Sequence, residues 1–154
     1  MISSRAILGI FLVTAAAILE LSAQAPVESL EYQLKARAIK ALVFFTDFPP
    51  GTRGAGPWVV GVFGKSPIAD QLIGLFLPGA LIKGRSVQVT FPKTREEGDK
   101  VDLLFVSRSE KARMPELFKQ VKGKPILTVV DLNEAKDLEP IVNLAIEQDK
   151  VKPE

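Results

Sequence analysis

The chain has 154 residues, with 20 Lys or Arg against 18 Asp or Glu, so its net charge at pH 7 is +2. It contains no His and no Cys, which excludes a Ser-His-Asp triad, a thiol nucleophile, a disulfide and any metal site built on imidazole or thiolate ligands. The small net charge and the lack of a long Lys/Arg block also argue against a nucleic-acid-binding protein. Composition therefore predicts one small domain without enzymatic activity, cofactor or metal ion.

The N-terminal segment has the pattern of a secretory signal peptide. Arg5 precedes an apolar run from Ala6 to Leu19, and small residues follow it. This run is shorter than the roughly 20 apolar residues that a membrane span needs. We therefore expect a signal peptide over residues 1–23, cleaved after Ala23 or, alternatively, after Ala25, and export to the periplasm of a Gram-negative cell. An uncleaved N-terminal anchor helix is the other interpretation of this segment.

The rest of the chain, residues 27–152, is expected to form a single domain that opens with a helix. An amphipathic helix is predicted from Glu28 to Phe45. Its apolar residues recur at three- and four-residue spacing, at Leu30, Leu34, Ala38, Ala41, Leu42 and Phe45. A loop rich in Pro and Gly follows from Asp47 to Pro57, because neither residue type continues a helix.

Short apolar runs after this loop indicate the strands of a sheet. Three runs are apolar almost throughout, as expected of central strands covered on both faces, at residues 58–63, 101–106 and 126–130. Alternation over residues 85–91 indicates a half-exposed strand at the sheet edge, and residues 141–146 are predicted to form the last strand. The fold class is therefore α/β: a three-layer α/β/α domain with a mainly parallel sheet, Rossmann-like or flavodoxin-like.

Two helices are predicted between these strands. One runs from Pro67 to Leu77 with Ser66 as its N-cap, and one runs from Ser107 to about Val121, where Gly123 ends it. The connection from Phe91 to Val101 is short for a parallel crossover. Either this loop extends across the end of the sheet or the edge strand pairs in another way.

The tripeptide Gly64-Lys65-Ser66 resembles the end of a phosphate-binding loop, but the first Gly of that motif is replaced by Val59 inside a strand, which argues against nucleotide hydrolysis. A weaker prediction remains, because ligands of open α/β sheets bind beyond the carboxyl ends of the strands. That edge gathers a candidate rim for an anion or a partner: Gly64, Lys65, Ser66, Ser107, Arg108, Ser109 and Asp131. The alternative is that the two serines Ser66 and Ser107 only cap helices while Lys65 and Arg108 are solvated.

Several segments, taken in order, resemble the YfiR-like periplasmic proteins over residues 30 to 152. They are Glu31-Tyr-Gln-Leu-Lys35-Ala, Phe44-Phe-Thr-Asp-Phe48-Pro49, Val60-Gly61-Val-Phe-Gly64, Lys83-Gly84-Arg85, Leu104-Phe-Val-Ser107-Arg-Ser109-Glu110-Lys-Ala-Arg113 and Gly123-Lys-Pro125-Ile-Leu-Thr128-Val. The resemblance implies an exported, non-enzymatic regulator. Such a protein binds the periplasmic sensor domain of an inner-membrane diguanylate cyclase, keeps the cyclase inactive and is itself sequestered by an outer-membrane lipoprotein.

Two departures from the family pattern limit what the resemblance implies. Because the chain has no Cys, we expect no redox control through disulfides. Family members also continue past the position of Lys150–Glu154 into a further strand and a C-terminal helix, which we expect this chain to lack. A homodimer is compatible with the pattern. The alternative function is a periplasmic small-ligand sensor that reports to a receptor or a histidine kinase.

Overall fold

The computed structural model describes residues 30–48, 56–132 and 142–144, and all structural statements below concern these residues. The predicted signal peptide (1–23), its cleavage site and residues 145–154 lie outside them. None of the helices in the described ranges is long and apolar enough to cross a membrane.

Within these ranges the sheet has six strands: β1 (Trp58–Phe63), β2 (Leu81–Ile82), β3 (Arg85–Thr90), β4 (Leu103–Val106), β5 (Leu127–Val130) and β6 (Val142–Asn143). The α-helices are α1 (30–45), α2 (Ile68–Leu75), α3 (Arg95–Gly98) and α4 (Met114–Val121). A 3₁₀ helix, Arg108–Arg113, leads into α4.

The strand order is β2-β3-β1-β4-β5-β6, and every pair is parallel except β2 with β3. Without β2 this is the flavodoxin-like order, which decides between the two sheet types that the sequence left open. The three central strands are β1, β4 and β5, as predicted. All residues of β4 and β5 are buried, because helices cover both faces of the sheet there.

The strand predicted at the sheet edge, β3, is the second strand in from that edge. The short strand β2 pairs antiparallel outside it, through a two-residue turn at Lys83 and Gly84 with φ values of 50° and 75°. Positive φ at both positions is the geometry of a type I′ hairpin turn, which favours Gly at one of them. The predicted half-exposed alternation is confirmed: Arg85, Val87 and Val89 are half-buried while Ser86 and Gln88 are exposed.

The short connection after β3 is a true parallel crossover. β3 and β4 lie on opposite sides of β1 and both run parallel to it. The segment between them contains the one-turn helix α3, whose first N–H groups are capped by Thr94: its hydroxyl accepts from the Glu97 N–H at 3.3 Å. β3 therefore pairs with β1 in the parallel direction that a crossover requires.

Two apolar cores lie on opposite faces of the sheet. The first joins α1 and α2 to the sheet and includes Ile39, Leu72 and Phe105. The second joins α4 to the other face and includes Phe63, Leu104 and Leu117. Two apolar cores, each between the sheet and its helices, confirm the three-layer arrangement.

The buried face of α1 differs from the predicted one. Its fully buried side chains are Tyr32, Lys35, Ala36, Ile39 and Val43. The apolar residues on which the helix was predicted face largely outward, with Leu30 56%, Leu34 49% and Phe45 77% exposed. The helix itself is confirmed, but it has apolar residues on two sides, and the sheet covers the side that the sequence pattern did not select.

Candidate functional site

The predicted rim lies where the central strands end. β1, β4 and β5 are parallel, so the residues that follow them meet at one edge of the sheet. From this edge the chain leaves β1 toward α2 on one face and leaves β4 toward α4 on the other. Such a divergence opens a crevice that holds the ligand in many folds with this strand order.

In this protein serine hydroxyls bridge the crevice. The Ser107 hydroxyl donates to the Lys65 carbonyl oxygen at 2.6 Å, and the Ser109 hydroxyl accepts from the Lys65 N–H at 3.1 Å. The two hydroxyl oxygens are 3.3 Å apart. Both backbone polar groups of Lys65 are thus satisfied by the loop that follows β4, which joins the two diverging segments.

Gly64 allows this close approach. Its φ is +90°, and a Cβ atom there would lie 2.4 Å from Glu110 Cγ and 2.7 Å from Ser109 Oγ. Only a residue without a side chain fits such a contact. The space that a ligand would need between the two loops is therefore occupied by the Ser109 and Glu110 side chains.

Of the two serines predicted as caps, Ser107 has that role. Ser66 Oγ accepts from the Ile68 N–H at 3.3 Å, but α2 begins at Ile68 with Pro67 as its N-cap, one residue later than predicted. Ser107 Oγ accepts from the Ser109 N–H at 3.3 Å, as the N-cap of the 3₁₀ helix that replaces the first turns of the predicted α-helix. These contacts favour the structural interpretation of the two hydroxyls over the ligand-binding one.

The remaining rim residues, Arg108 and Asp131, belong to a four-charge cluster completed by Glu31 and Lys35 of α1. Asp131 is 2% exposed, and its carboxylate accepts from Arg108 Nη2 at 2.9 and 3.0 Å and from Lys35 Nζ at 2.6 Å. Lys35, 3% exposed, also donates to the carboxylate of Glu31 one turn earlier. The cluster ties α1 to the end of β5.

Charges balance within this four-charge cluster. Two carboxylates face two cations, and each buried charge has a partner, as burial demands. The hydrogen bond from Arg108 to Asp131 raises the pKa of the guanidinium, outweighing the opposite effect of its partial burial. Because Asp131 already neutralises Arg108, this part of the rim has no net positive charge to offer an anion.

The sequence pattern predicted that Arg108 and Asp131 lie at one edge of the sheet. It did not identify Glu31 and Lys35 as members of the same site. Lys35 follows Tyr32 by three residues and precedes Ile39 by four, so it belongs to the same helical stripe as these two buried residues. This stripe was the sequence signal that Lys35 is buried. A lysine in such a stripe is normally expected to be solvated, because the sequence does not show which distant carboxylate pairs with it.

A second group of residues that carried the family resemblance secures the end of α1. The guanidinium of Arg85 lies 3.7 Å from the ring centre of Trp58, and Phe48 packs against the same indole at 5.1 Å. The Trp58 indole N–H donates to the Ile82 carbonyl at 3.0 Å. Lys83 Nζ reaches the Asp47 carboxylate at 3.0 Å. These contacts give the motif residues a structural role.

The family model described as YfiR/HmsC-like matches residues 32–154, which is most of the chain. No curated protein matches the chain. Members of the matched family are periplasmic regulators in cyclic-di-GMP signalling and not enzymes. This match agrees with the segments of the sequence that resemble the family in the same order. The chain therefore belongs to the YfiR/HmsC-like family.

Proposed function

We propose that this protein is a periplasmic, non-enzymatic binding protein that represses an inner-membrane diguanylate cyclase by holding the periplasmic sensor domain of that enzyme. The family membership supports a regulator of cyclic-di-GMP signalling. Export depends on the predicted signal peptide. Intact-mass measurement of exported protein should show the loss of roughly the first 23 residues.

The observation that carries the proposal is the outer face of α1. Leu30, Leu34, Phe44 and Phe45 are each about half exposed or more, and all four lie on one helix. Single exposed apolar residues are ordinary, but a group of them on one element marks an interaction surface. We call these four residues the α1 stripe. Phe is among the residue types enriched at the cores of protein interfaces.

The hydrogen bonds made by the serines of the predicted rim also support a binding function over a catalytic one. The Ser107 and Ser109 hydroxyls are hydrogen-bonded to Lys65 across the crevice, and no base is paired with either of them among the described contacts. A serine nucleophile needs a base within hydrogen-bonding reach. The rim is therefore better suited to holding the fold than to turning over a substrate.

The proposal is tested by deleting the gene and measuring cyclic-di-GMP. Removal of a repressor releases its cyclase, so the level should rise and return when the gene is restored. A gene carrying Phe45→Lys should fail to restore it, because a charge replaces an apolar anchor of the α1 stripe. Leu77→Lys, at a residue 61% exposed outside this stripe, is the matched control and should restore it.

Two results would contradict the proposal. An unchanged cyclic-di-GMP level in the deletion strain, with the cyclase expressed, would remove the repressor function. Full restoration by the Phe45→Lys gene would remove the α1 stripe as the contact. Periplasmic amounts of each variant are compared by immunoblot, so that loss of protein is not mistaken for loss of binding.

Further partners follow from the same proposal. An outer-membrane lipoprotein that sequesters the protein would relieve the repression, and a homodimer could form through the same stripe. The second candidate function, a periplasmic small-ligand sensor that reports to a receptor or a histidine kinase, is favoured by one specific observation. That observation is a cavity with a cationic rim beside the bridged crevice.

A further inference from the structure

A cavity of about 360 Å³ opens at the carboxyl ends of β1 and β3. It lies beside the crevice bridged by Ser107 and Ser109, and Gly64, Lys65 and Glu110 of that crevice belong to its lining. Its apolar lining is formed by Val62, Phe63, Phe91 and Pro92. A volume of this size is at the lower end of ordinary small-molecule sites, which span roughly 300–1,000 Å³.

Charged residues form the rest of the lining, and they are mostly cationic. Lys65, Lys93 and Arg113 supply three positive charges, and Glu110 supplies one negative charge. Arg113 Nη1 lies 3.0 Å from Glu110 Oε2, so these two neutralise each other. The ammonium groups of Lys65 and Lys93 make no ion pair within the described part of the chain.

The aromatic part of the lining is incompletely covered. Phe91 follows β3 directly and is 49% exposed, although the neighbouring Pro92 is buried. Phe63, the other aromatic residue of the lining, is only 1% exposed and has the Arg113 guanidinium 4.9 Å from its ring centre, so Phe91 is the ring that is open to a ligand. A flat apolar group in the cavity would cover Phe91 and remove its ring from water, which is favourable.

We propose that this cavity binds a small anionic molecule that carries an aromatic group. The anionic group, a phosphate or a carboxylate, is neutralised by Lys65 and Lys93, and the ring packs against Phe91. The site is separate from the α1 stripe, so this inference stands or fails independently of the repression of a cyclase. A ligand that prefers one conformation of the protein would modulate that repression through its differential affinity.

The test is a calorimetric titration of the purified protein with phenyl phosphate. We expect saturable binding at one site. A Lys65→Gln/Lys93→Gln variant should bind about tenfold more weakly, equivalent to about 1.4 kcal/mol. Phe91→Ala should also weaken binding, and it is tolerated by the fold because the ring is half exposed. Lys100→Gln/Lys119→Gln is the control, since it removes the same charge from two exposed residues outside the cavity.

Comparison probes identify which groups of the ligand are recognised. Benzoate in place of phenyl phosphate tests whether a carboxylate serves as well, and tighter binding of either probe supports the proposal and assigns the anion. Inorganic phosphate binding as tightly as phenyl phosphate would overturn it, because the aromatic wall would then contribute nothing. The proposal would also be overturned if the Lys100→Gln/Lys119→Gln control lost as much binding affinity as the Lys65→Gln/Lys93→Gln variant. The absence of saturable binding of either aromatic probe would overturn it as well.

Discussion

Lys35 Nζ lies 2.6 Å from Asp131 Oδ1, across 96 positions of sequence, and both side chains are almost completely buried. The contact fixes the rotation of α1 on the sheet, because a buried ammonium group must face its carboxylate. With Lys35 inward, Tyr32, Ile39 and Val43 on the same side of the helix enter the core. The opposite side of α1 is left outside.

Asp131→Asn should destabilise the fold strongly. The substitution keeps the shape of the side chain but leaves Lys35 and Arg108 with a neutral partner, and breaking a buried ion pair from one side costs about 3–5 kcal/mol. Urea unfolding, followed by the fluorescence of Trp58, measures the free energy of unfolding. The denaturant slope should stay unchanged, because the surface exposed on unfolding is the same.

Glu116→Gln is the control for that measurement. Its carboxylate pairs with Arg95, but both side chains are more than two-fifths exposed. Exposed pairs contribute at most about 1 kcal/mol. Equal losses in Asp131→Asn and Glu116→Gln would mean that burial of the four-charge cluster has no energetic consequence.

Alanine substitutions on the two sides of α1 should differ sharply in stability. Ile39 is fully buried, so Ile39→Ala should lower the free energy of unfolding by about 2–5 kcal/mol through lost burial and a new cavity. Leu34 is 49% exposed, so Leu34→Ala should cost less than about 1 kcal/mol. A larger loss for Leu34→Ala would show that this side of the helix is in the core.

The difference between these two sides explains what the sequence could and could not predict about α1. Apolar residues recur at helical spacing on both sides, so the pattern alone identifies a helix without selecting its buried face. The buried side is the one on which Lys35 meets Asp131, which lies far along the chain. Local periodicity contains no information about that partner.

The strands show the opposite case. Residues of β4 and β5 are apolar on both faces, which only burial between two helical layers explains, and their central positions were predicted correctly. β2 was missed because two residues are too few to show any period. At the candidate site, the order of the strands predicted which residues meet. It could not predict that Ser107 and Ser109 would bond to Lys65 and bridge the crevice.

Gly64→Ala should destabilise the protein more than Gly79→Ala. Both glycines have φ near +90°, so an alanine is strained at either position, by about 1–2 kcal/mol. At Gly79 nothing lies within 4 Å of the added methyl, whereas at Gly64 it meets Glu110 Cγ at 2.4 Å. The extra cost should be about 1–3 kcal/mol. Similar unfolding energies for the two variants would refute the close packing described at the crevice.

Asp99 should make stability depend on acid pH. Burial raises the pKa of its carboxyl, but hydrogen bonds from Lys124 and Gln120 lower it by more, so the net pKa lies below its ordinary value of 3.8. A depressed pKa in the folded state stabilises the protein above pH 3.8, and this contribution is lost as pH falls through the folded-state pKa.

The variant that tests this is Asp99→Asn. At pH 7 it should unfold more easily than the parent protein by about 1 kcal/mol. Unfolding curves recorded between pH 7 and pH 2.5 should show the difference shrinking toward zero at the acid end. A difference that stays constant over this range would mean that the charge of Asp99 is not what Lys124 and Gln120 stabilise.

The 96-residue separation between Lys35 and Asp131 also sets an order of assembly. Synthesis proceeds from the N-terminus, so α1 emerges long before Asp131 is available. Until then Lys35 has only Glu31 as a partner, and its ammonium group is better solvated by water than held against the unfinished sheet. We therefore expect α1 to dock after β5 has joined β4. A nascent or truncated chain that ends before Asp131 leaves both apolar sides of its first helix open to chaperones and proteases.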